Sequence, residues 1–209
     1  GCMMPKGSEE LTEARKDEII AACAELYKTK NFKDITLKEI GSVTSFTRTS
    51  IYNYFQSKEE IFLALLQKEY VEWNKKLQQI RDTHETMTAM EFADALALSL
   101  EERAILLKIM AVNHYDMEEN TRLERLVEFK KAYGRSLAEV RECLDKFFPA
   151  MTAQEKQDFL FSFFSFMFGI YPYTNVSEKQ REAMRQADVD YVYMSIYEIT
   201  FAEIKKLLG

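Results

Sequence analysis

The chain is short of the residues that interrupt helices. Its 209 residues include 6 glycines and 3 prolines, and Pro5 lies in the N-terminal tail. It has no Asn-Gly or Asp-Gly pair, and no sustained alternation of apolar and polar residues that would mark a strand. Many Ala, Leu, Glu, Lys and Met among so few breakers predict an all-α protein.

Metal and redox chemistry are equally short of material. The 3 cysteines, Cys2, Cys23 and Cys143, are far apart and lack CxxC spacing. That usage fits reduced thiols and a cytoplasmic location, with Cys23 and Cys143 on helical patterns as small buried hydrophobes. Neither of the 2 histidines, His84 and His114, has a partner at ligand spacing, so no metal and no cofactor is expected. No GxSxG, HExxH, GxxxxGK or GxGxxG motif occurs, and the chain is not expected to be an enzyme. The most apolar run, 159–173, has 15 residues and is closed by Pro172. A membrane helix needs ~17–25, so this run is expected to be a buried helix and no membrane partner is expected. The N-terminus is polar and lacks the apolar core of a secretory signal.

Negative charge is missing from one place. The net charge is -6, yet residues 10–58 carry eight basic and seven acidic side chains, against nineteen and twenty-six in 59–209. Between Glu39 and Glu59 there is no acid at all. A globally acidic protein with one acid-free segment points to a local surface for a polyanion rather than a basic coat.

Helix starts are well marked. Ser or Thr followed three residues later by Glu, the capping-box spacing, occurs at Thr36/Glu39, Ser57/Glu60, Thr88/Glu91, Thr121/Glu124 and Thr152/Glu155. Each precedes an apolar period near 3.6. The pattern predicts about nine helices: 10–29, 37–43, 47–54, 57–81, 88–99, 101–115, 122–148, 153–171 and 188–208, with a helical turn near 178–186. Asn31 is read as the stop of the first, in the left-handed conformation that Asn tolerates.

The predicted helices 37–43 and 47–54, joined by Thr44-Ser45-Phe46, make a helix-turn-helix. Such a motif lays its second helix in the DNA major groove. That helix needs hydroxyl or small residues at its front, cationic and amide groups outside, an apolar anchor behind, and no acids. Thr47, Arg48, Thr49 and Asn53 supply the exposed side, and Ile51 and Phe55, at i and i+4, the buried one. Arg48 suits guanine bidentately and Asn53 adenine or a phosphate. Tyr52 and Tyr54 offer rings and phosphate-binding hydroxyls. Lys58 adds its charge to the positive end of the next helix. Thr36 opens the preceding helix, where its hydroxyl is placed to cap or to meet a phosphate.

The stretch IIAACAELYKTKNFKDITLKEIGSVTSFTRTSIYNYFQSKEEIFLALL resembles the N-terminal domain of the TetR family of transcriptional regulators. Ile51-Tyr52, Phe55, Lys58 and Glu59 match that family's Leu-Tyr-x-x-Phe-x-x-Lys-acid pattern, and Ile19, Ala22, Leu26, Thr36 and Ile40 also fit. Gly41 stands where Ala is usual, Ser45 where the turn usually has Gly, and Asn31 replaces the Gly after the first helix. The resemblance covers about residues 12–66. It implies DNA contact by Thr36, Thr47, Arg48, Thr49, Tyr52, Asn53, Tyr54 and Lys58. It also implies a three-helix DNA-binding domain over 10–58, joined by the long helix 57–81 to a helical effector-binding and dimerisation domain over 59–209.

The expected activity is that of a homodimeric, ligand-responsive transcriptional regulator, a repressor released from a palindromic operator by a small lipophilic molecule. Half-sites would lie near one DNA turn apart, ~34–36 Å. Candidate effector-pocket residues are Trp73, Met110, His114, Tyr115, Phe129, Tyr133, Phe163 and Met167, since aromatic and Met side chains suit flat apolar ligands. The dimer is expected through 153–171 and 188–208, with Phe161, Phe164, Phe168, Val192, Ile196 and Ile199 in the interface, because a helix apolar on two sides needs two partners. The departures at Gly41 and Ser45 leave a second reading open: a helical small-molecule or protein-binding module that has lost sequence-specific DNA binding.

Overall fold

The computed structural model describes residues 6–112 and 114–209, apart from the side chains of Lys6, His114 and Tyr115. Among these residues there are helices and no strand. In chain order they are α1 (Lys6–Tyr27), a 3-10 turn (Phe32–Asp34), α2 (Leu37–Ser42), α3 (Arg48–Ile51), α4 (Lys58–Thr83), α5 (Ala89–Glu101) and α6 (Ala104–Met110). There follow α7 (His114–Glu119), α8 (Leu123–Phe147), α9 (Ala153–Phe166), α10 (Ile170–Thr174), α11 (Glu178–Gln186) and α12 (Ile196–Leu208).

The all-α expectation holds, and the helices are shorter and more numerous than the pattern suggested. The expected helix 101–115 is the pair α6 and α7, and Glu101 and Glu102 close α5 instead. The expected helix 153–171 ends at Phe166. There Phe168 and Gly169 turn back onto the carbonyls of Ser165 (3.2 Å) and Phe166 (3.0 Å), which tightens the chain before α10. Pro172 does not close that run. It lies in the first turn of α10, where its missing N–H has no partner to lose. The last helix begins only at Ile196, because Asp188 takes a left-handed φ of 54° and the chain then runs irregularly to Ser195. Asn31 is not left-handed: with φ -88° and ψ 158° it is extended and caps the 3-10 turn.

Caps explain most boundaries. Thr88/Glu91 and Thr152/Glu155 form complete capping boxes, and so does Ser195/Glu198, which opens α12. Thr121 does not cap. Its hydroxyl donates to the Met117 carbonyl at 2.7 Å, closing α7 rather than opening α8.

The chain divides into two compact units. One is the chain through Lys68 together with 113–131; the other is 69–112 with 132–209. In the first, Ile19, Cys23, Ile35, Ile40, Ile51, Phe55 and Phe62 are wholly buried. The Phe62 ring meets Tyr27 and Phe32 edge-on, at 4.9 and 4.7 Å. Each such side chain contributes about 1.5–3 kcal/mol by leaving water. In the second unit α12 packs along α5, and Trp73, Phe92, Leu96 and Phe163 fill the core. Most of its buried polar groups are satisfied, the Thr200 hydroxyl excepted: the Trp73 indole donates to Ser99 Oγ at 2.9 Å, and the Ser136 hydroxyl to Asn74 at 2.6 Å. Glu139, fully buried, accepts from Gln78 (2.9 Å) and Arg135 (2.7 Å) and pairs with Arg81. Cys23 and Cys143 are buried as expected, and burial pushes both thiols up to about 12, out of reach of redox or nucleophilic use at neutral pH.

Candidate nucleic-acid interface

The second helix of the motif, α3, is set by short polar contacts around an apolar pin. Thr36 caps α2 by accepting from Glu39 N at 3.1 Å, and Thr47 caps α3 by accepting from Ser50 N at 3.1 Å. Between them, Ser45 donates through its amide (2.9 Å) and its hydroxyl (3.0 Å) to Glu18 of α1. A Cβ on Gly41 would stand 3.2 Å from the Phe46 carbonyl and 3.4 Å from Arg48 N, so glycine lets the turn close directly over α2. Ile51 and Phe55 are fully buried and hold α3 from behind.

This makes Glu18, on α1 and outside the acid-free segment, a structural acid for the turn. Its carboxylate takes two donors of the turn. The Glu18→Ala variant is expected to lose about 1–2 kcal/mol. Thermal unfolding should show that loss, and an unchanged melting temperature would mean the turn holds itself.

Arg48, Thr49, Tyr52 and Asn53 are exposed, the first two on α3 and the other two in the turn that ends it. Tyr54 is half-buried. Its ring meets Phe46 edge-on at 5.9 Å, and its hydroxyl accepts from Arg15 at 3.2 Å. Lys58 is also partly enclosed. Its ammonium donates to the Phe32 carbonyl at 2.7 Å and lies 4.1 Å from that ring's centre, which leaves two of its three N–H donors. Thr36 and Thr47 are exposed, with their hydroxyl oxygens engaged in caps. Among the described residues, every arginine except Arg48 and Arg141 meets an acid, a hydroxyl or a carbonyl. Arg48 is therefore an unpaired cation on α3.

The segment 113–131 belongs to the same compact unit and reaches this motif. Glu60, 1% exposed, accepts from Gln56 N (2.9 Å) and from Arg122 N (3.0 Å), Nε (2.8 Å) and Nη2 (2.8 Å). Ser57 Oγ donates to the Asn120 carbonyl at 2.7 Å. Arg125 donates to the Tyr54 carbonyl at 2.8 Å and lies over the Phe55 ring at 5.1 Å, so it holds the turn that follows α3. None of Glu18, Arg15, Arg122 or Arg125 was visible from the sequence, because their partners lie 27 to 71 residues away.

Burial alone would raise the Glu60 carboxyl. The Arg122 guanidinium and two backbone amides outweigh it and hold the pKa at about 2, below the ordinary 4.5. A depressed carboxyl stabilises the folded state above its unfolded pKa and loses that effect as pH falls through its folded one. The stability gap between the wild type and Glu60→Gln is therefore expected to narrow as pH drops from about 4.5 to about 2. Denaturant titrations across that window should show this, and a constant gap would remove Glu60 from the acid response.

Trp73, Met110, Phe163 and Met167 are buried in the second unit, and Phe129 is buried in the first. The Tyr70 hydroxyl donates to Met110 Sδ at 3.3 Å. The side chains of His114 and Tyr115 lie outside the described residues. Tyr133 is half-buried and lines an open groove of about 560 Å³ between α8 and α9. Three dimer candidates line the same groove: Phe161, 71% exposed, Phe168, half-buried, and Phe164, buried 5.8 Å from the Trp73 ring. Val192 is exposed and stands on the segment before α12, whereas Ile196 and Ile199 are half-buried on its first turn.

A tight helix-turn-helix in an all-helical chain defines a DNA-binding regulator class. Comparison with known proteins agrees. Residues 19–65 match the family described as bacterial regulatory proteins, tetR family, and residues 67–199 match the tetracyclin repressor-like, C-terminal domain. The chain belongs to the TetR family of transcriptional regulators. A curated relative, the uncharacterized HTH-type transcriptional regulator YfiR of Bacillus subtilis (strain 168), is 30% identical over 104 residues. That match spans 49% of this chain and 50% of the relative. The fold is shared with a putative TetR-family regulator from Mesorhizobium loti, at TM-score 0.60 and 14% identity over 94% of this chain and 96% of the other. It is also shared with the fatty acid degradation regulator FadR from Bacillus halodurans (TM-score 0.59, 15% identity, 93% and 95% covered). A third is FadR from Bacillus subtilis in complex with stearoyl-CoA (TM-score 0.55, 16% identity, 92% and 97% covered). No helix among the described residues is long and apolar enough to cross a membrane.

Proposed function

We propose that the chain is a homodimeric repressor of the cytoplasm, which binds a palindromic operator and is released by a small lipophilic effector. Residues 10–58 are the reading domain and 59–209 the effector and dimerisation domain. One observation carries the reading: the exposed face of α3 presents Arg48 without an internal partner, with Thr49, Tyr52 and Asn53 beside it and no acid between Glu39 and Glu59. A cation left unpaired among hydroxyls and an amide suits a phosphate wall and guanine edges. In this reading Arg48 and Asn53 read bases. Thr36, Thr47, Thr49, Tyr52, Tyr54 and Lys58 meet the backbone.

The dimer is assigned to α9, the turn that follows it and α12, where the exposed or half-buried Phe161, Phe168, Ile196 and Ile199 leave apolar surface for a second copy. The stearoyl-CoA bound to a FadR of the same fold is the precedent for an effector with a long apolar part. Sedimentation of the protein alone and on a duplex that it selects tests the reading. Two chains in free solution and two per duplex are expected. A single chain on DNA, or a monomer at all concentrations, would overturn the symmetric reading.

A further inference from the structure

Arg15 of α1 and Tyr54, 39 residues apart, meet at the edge of the helix-turn-helix. Arg15 is exposed, and its Nη1 donates to the Tyr54 hydroxyl oxygen at 3.2 Å. The acids that could compensate it on α1 are engaged elsewhere. Glu13 pairs with Lys16, Asp17 pairs with Lys68, and Glu18 accepts from the Ser45 amide and hydroxyl. Among the described residues Arg15 makes no ion pair. It keeps its charge and most of its N–H donors for something outside the chain. Both side chains line an open groove between α1 and the motif, and the exposed Asn53 lines it too. The groove is therefore continuous with the proposed base-reading face. Glu18 is the one acid among its described lining, and Ser45 satisfies it.

The direction of the bond decides what the hydroxyl can do. Tyr54 accepts from Arg15, so its own O–H stays free to donate, and its ring is held by Phe46 at 5.9 Å. A phosphate oxygen only accepts. A hydroxyl that accepts from a cation also donates more strongly, because hydrogen bonds in a chain polarise one another. The planar N–H fork of arginine suits a phosphate directly. We infer that Arg15 and Tyr54 form one phosphate clamp. Tyr54 donates its O–H to a backbone phosphate beside the major groove, and Arg15 fixes that hydroxyl and brings its remaining N–H groups to the same phosphate. α1 thereby joins the DNA surface that α2, α3 and Lys58 would otherwise form alone. The inference deepens the proposed DNA reading and rests on it. Motif spacing does not supply this residue, since Arg15 reaches Tyr54 only through the packing of α1 against the motif.

The test uses the full chain and a duplex that it selects, titrated by fluorescence anisotropy across a salt series. Arg15→Ala is expected to weaken binding about tenfold, the worth of one charge-assisted hydrogen bond, and to lower the salt slope by about 1. Its sequence preference and melting temperature should stay at the wild-type values, because an exposed contact between long side chains contributes little to stability. Tyr54→Phe keeps the ring against Phe46. It should lose affinity with the salt slope unchanged, because the phenol carries no charge. The double variant should lose less than the two single losses combined, since both groups act on one phosphate. Arg15→Lys should restore the slope. Duplexes with single neutral methylphosphonates locate the contact: one position in each half-site is expected to weaken the wild type and leave Arg15→Ala unchanged. Wild-type affinity and salt slope for Arg15→Ala, or the same neutral-phosphate profile in both proteins, would overturn the clamp. Arg48→Ala separates the two levels. If it loses affinity while Arg15→Ala does not, the clamp falls and the DNA reading stands. If neither loses affinity, α3 is not the reading helix and the clamp falls with it.

Discussion

Replacing Arg122 with alanine is expected to cost about 2–3 kcal/mol, the largest stability loss of any single surface-accessible side chain in the first unit. The change leaves Glu60, 1% exposed, with its charge buried and three bonds from Arg122 reduced to one from a backbone amide. Breaking a fully buried pair costs about 3–5 kcal/mol, and the loss falls at or just below the lower end of that range because the Arg122 side chain is 32% exposed. For a chain of this size that is about 5–10 °C in melting temperature. Glu60→Ala should give a similar loss. The double variant should lose clearly less than the two single losses combined, because the second change removes a group already orphaned. Hydrogen exchange should rise at 54–60 and 120–125 together, since Ser57–Asn120 and Arg125–Tyr54 join the same two segments. Strict additivity, with exchange confined to one segment, would show that these contacts are independent.

Arg48→Ala is expected to weaken operator binding by about 5- to 150-fold, the roughly 1–3 kcal/mol of a good bidentate base contact. Its melting temperature should stay at the wild-type value, because Arg48 makes no internal hydrogen bond or ion pair. Lys58→Ala makes the contrast. Its ammonium holds the Phe32 carbonyl at 2.7 Å, so that variant should lose stability as well as affinity. Its salt slope should fall by about 1 while sequence preference is kept. Equal operator affinity for Arg48→Ala and the wild type would remove α3 as the reading helix.

The reading of the motif was open in the sequence because its signals are local. Thr36 and Thr47 cap, Ile51 and Phe55 pin the helix, and the acid-free run sets its charge; each follows from neighbours within a few residues. Glu18 and Arg125 were hidden because they act across 27 and 71 residues on backbone groups, which leave no trace in composition. The ends of the helices were less legible for the same reason. The turn at Phe168 and Gly169 and the left-handed Asp188 break apolar periods that continue in sequence. The ligand candidates are a different case. Trp73, Phe163 and Met167 have the side chains of a pocket, but a buried helix face uses the same ones, and only packing separates the two.

The central claim, that the acid-free face of α3 reads DNA as one half of a symmetric pair, is tested most directly by selecting bound sequences from a random duplex pool across a salt series. The account predicts enrichment of a palindrome with half-sites about 34–36 Å apart. It also predicts a steep loss of affinity with salt, at ~0.9 log units per log unit of salt for each phosphate neutralised. A folded protein that enriches no sequence at any salt concentration would contradict it.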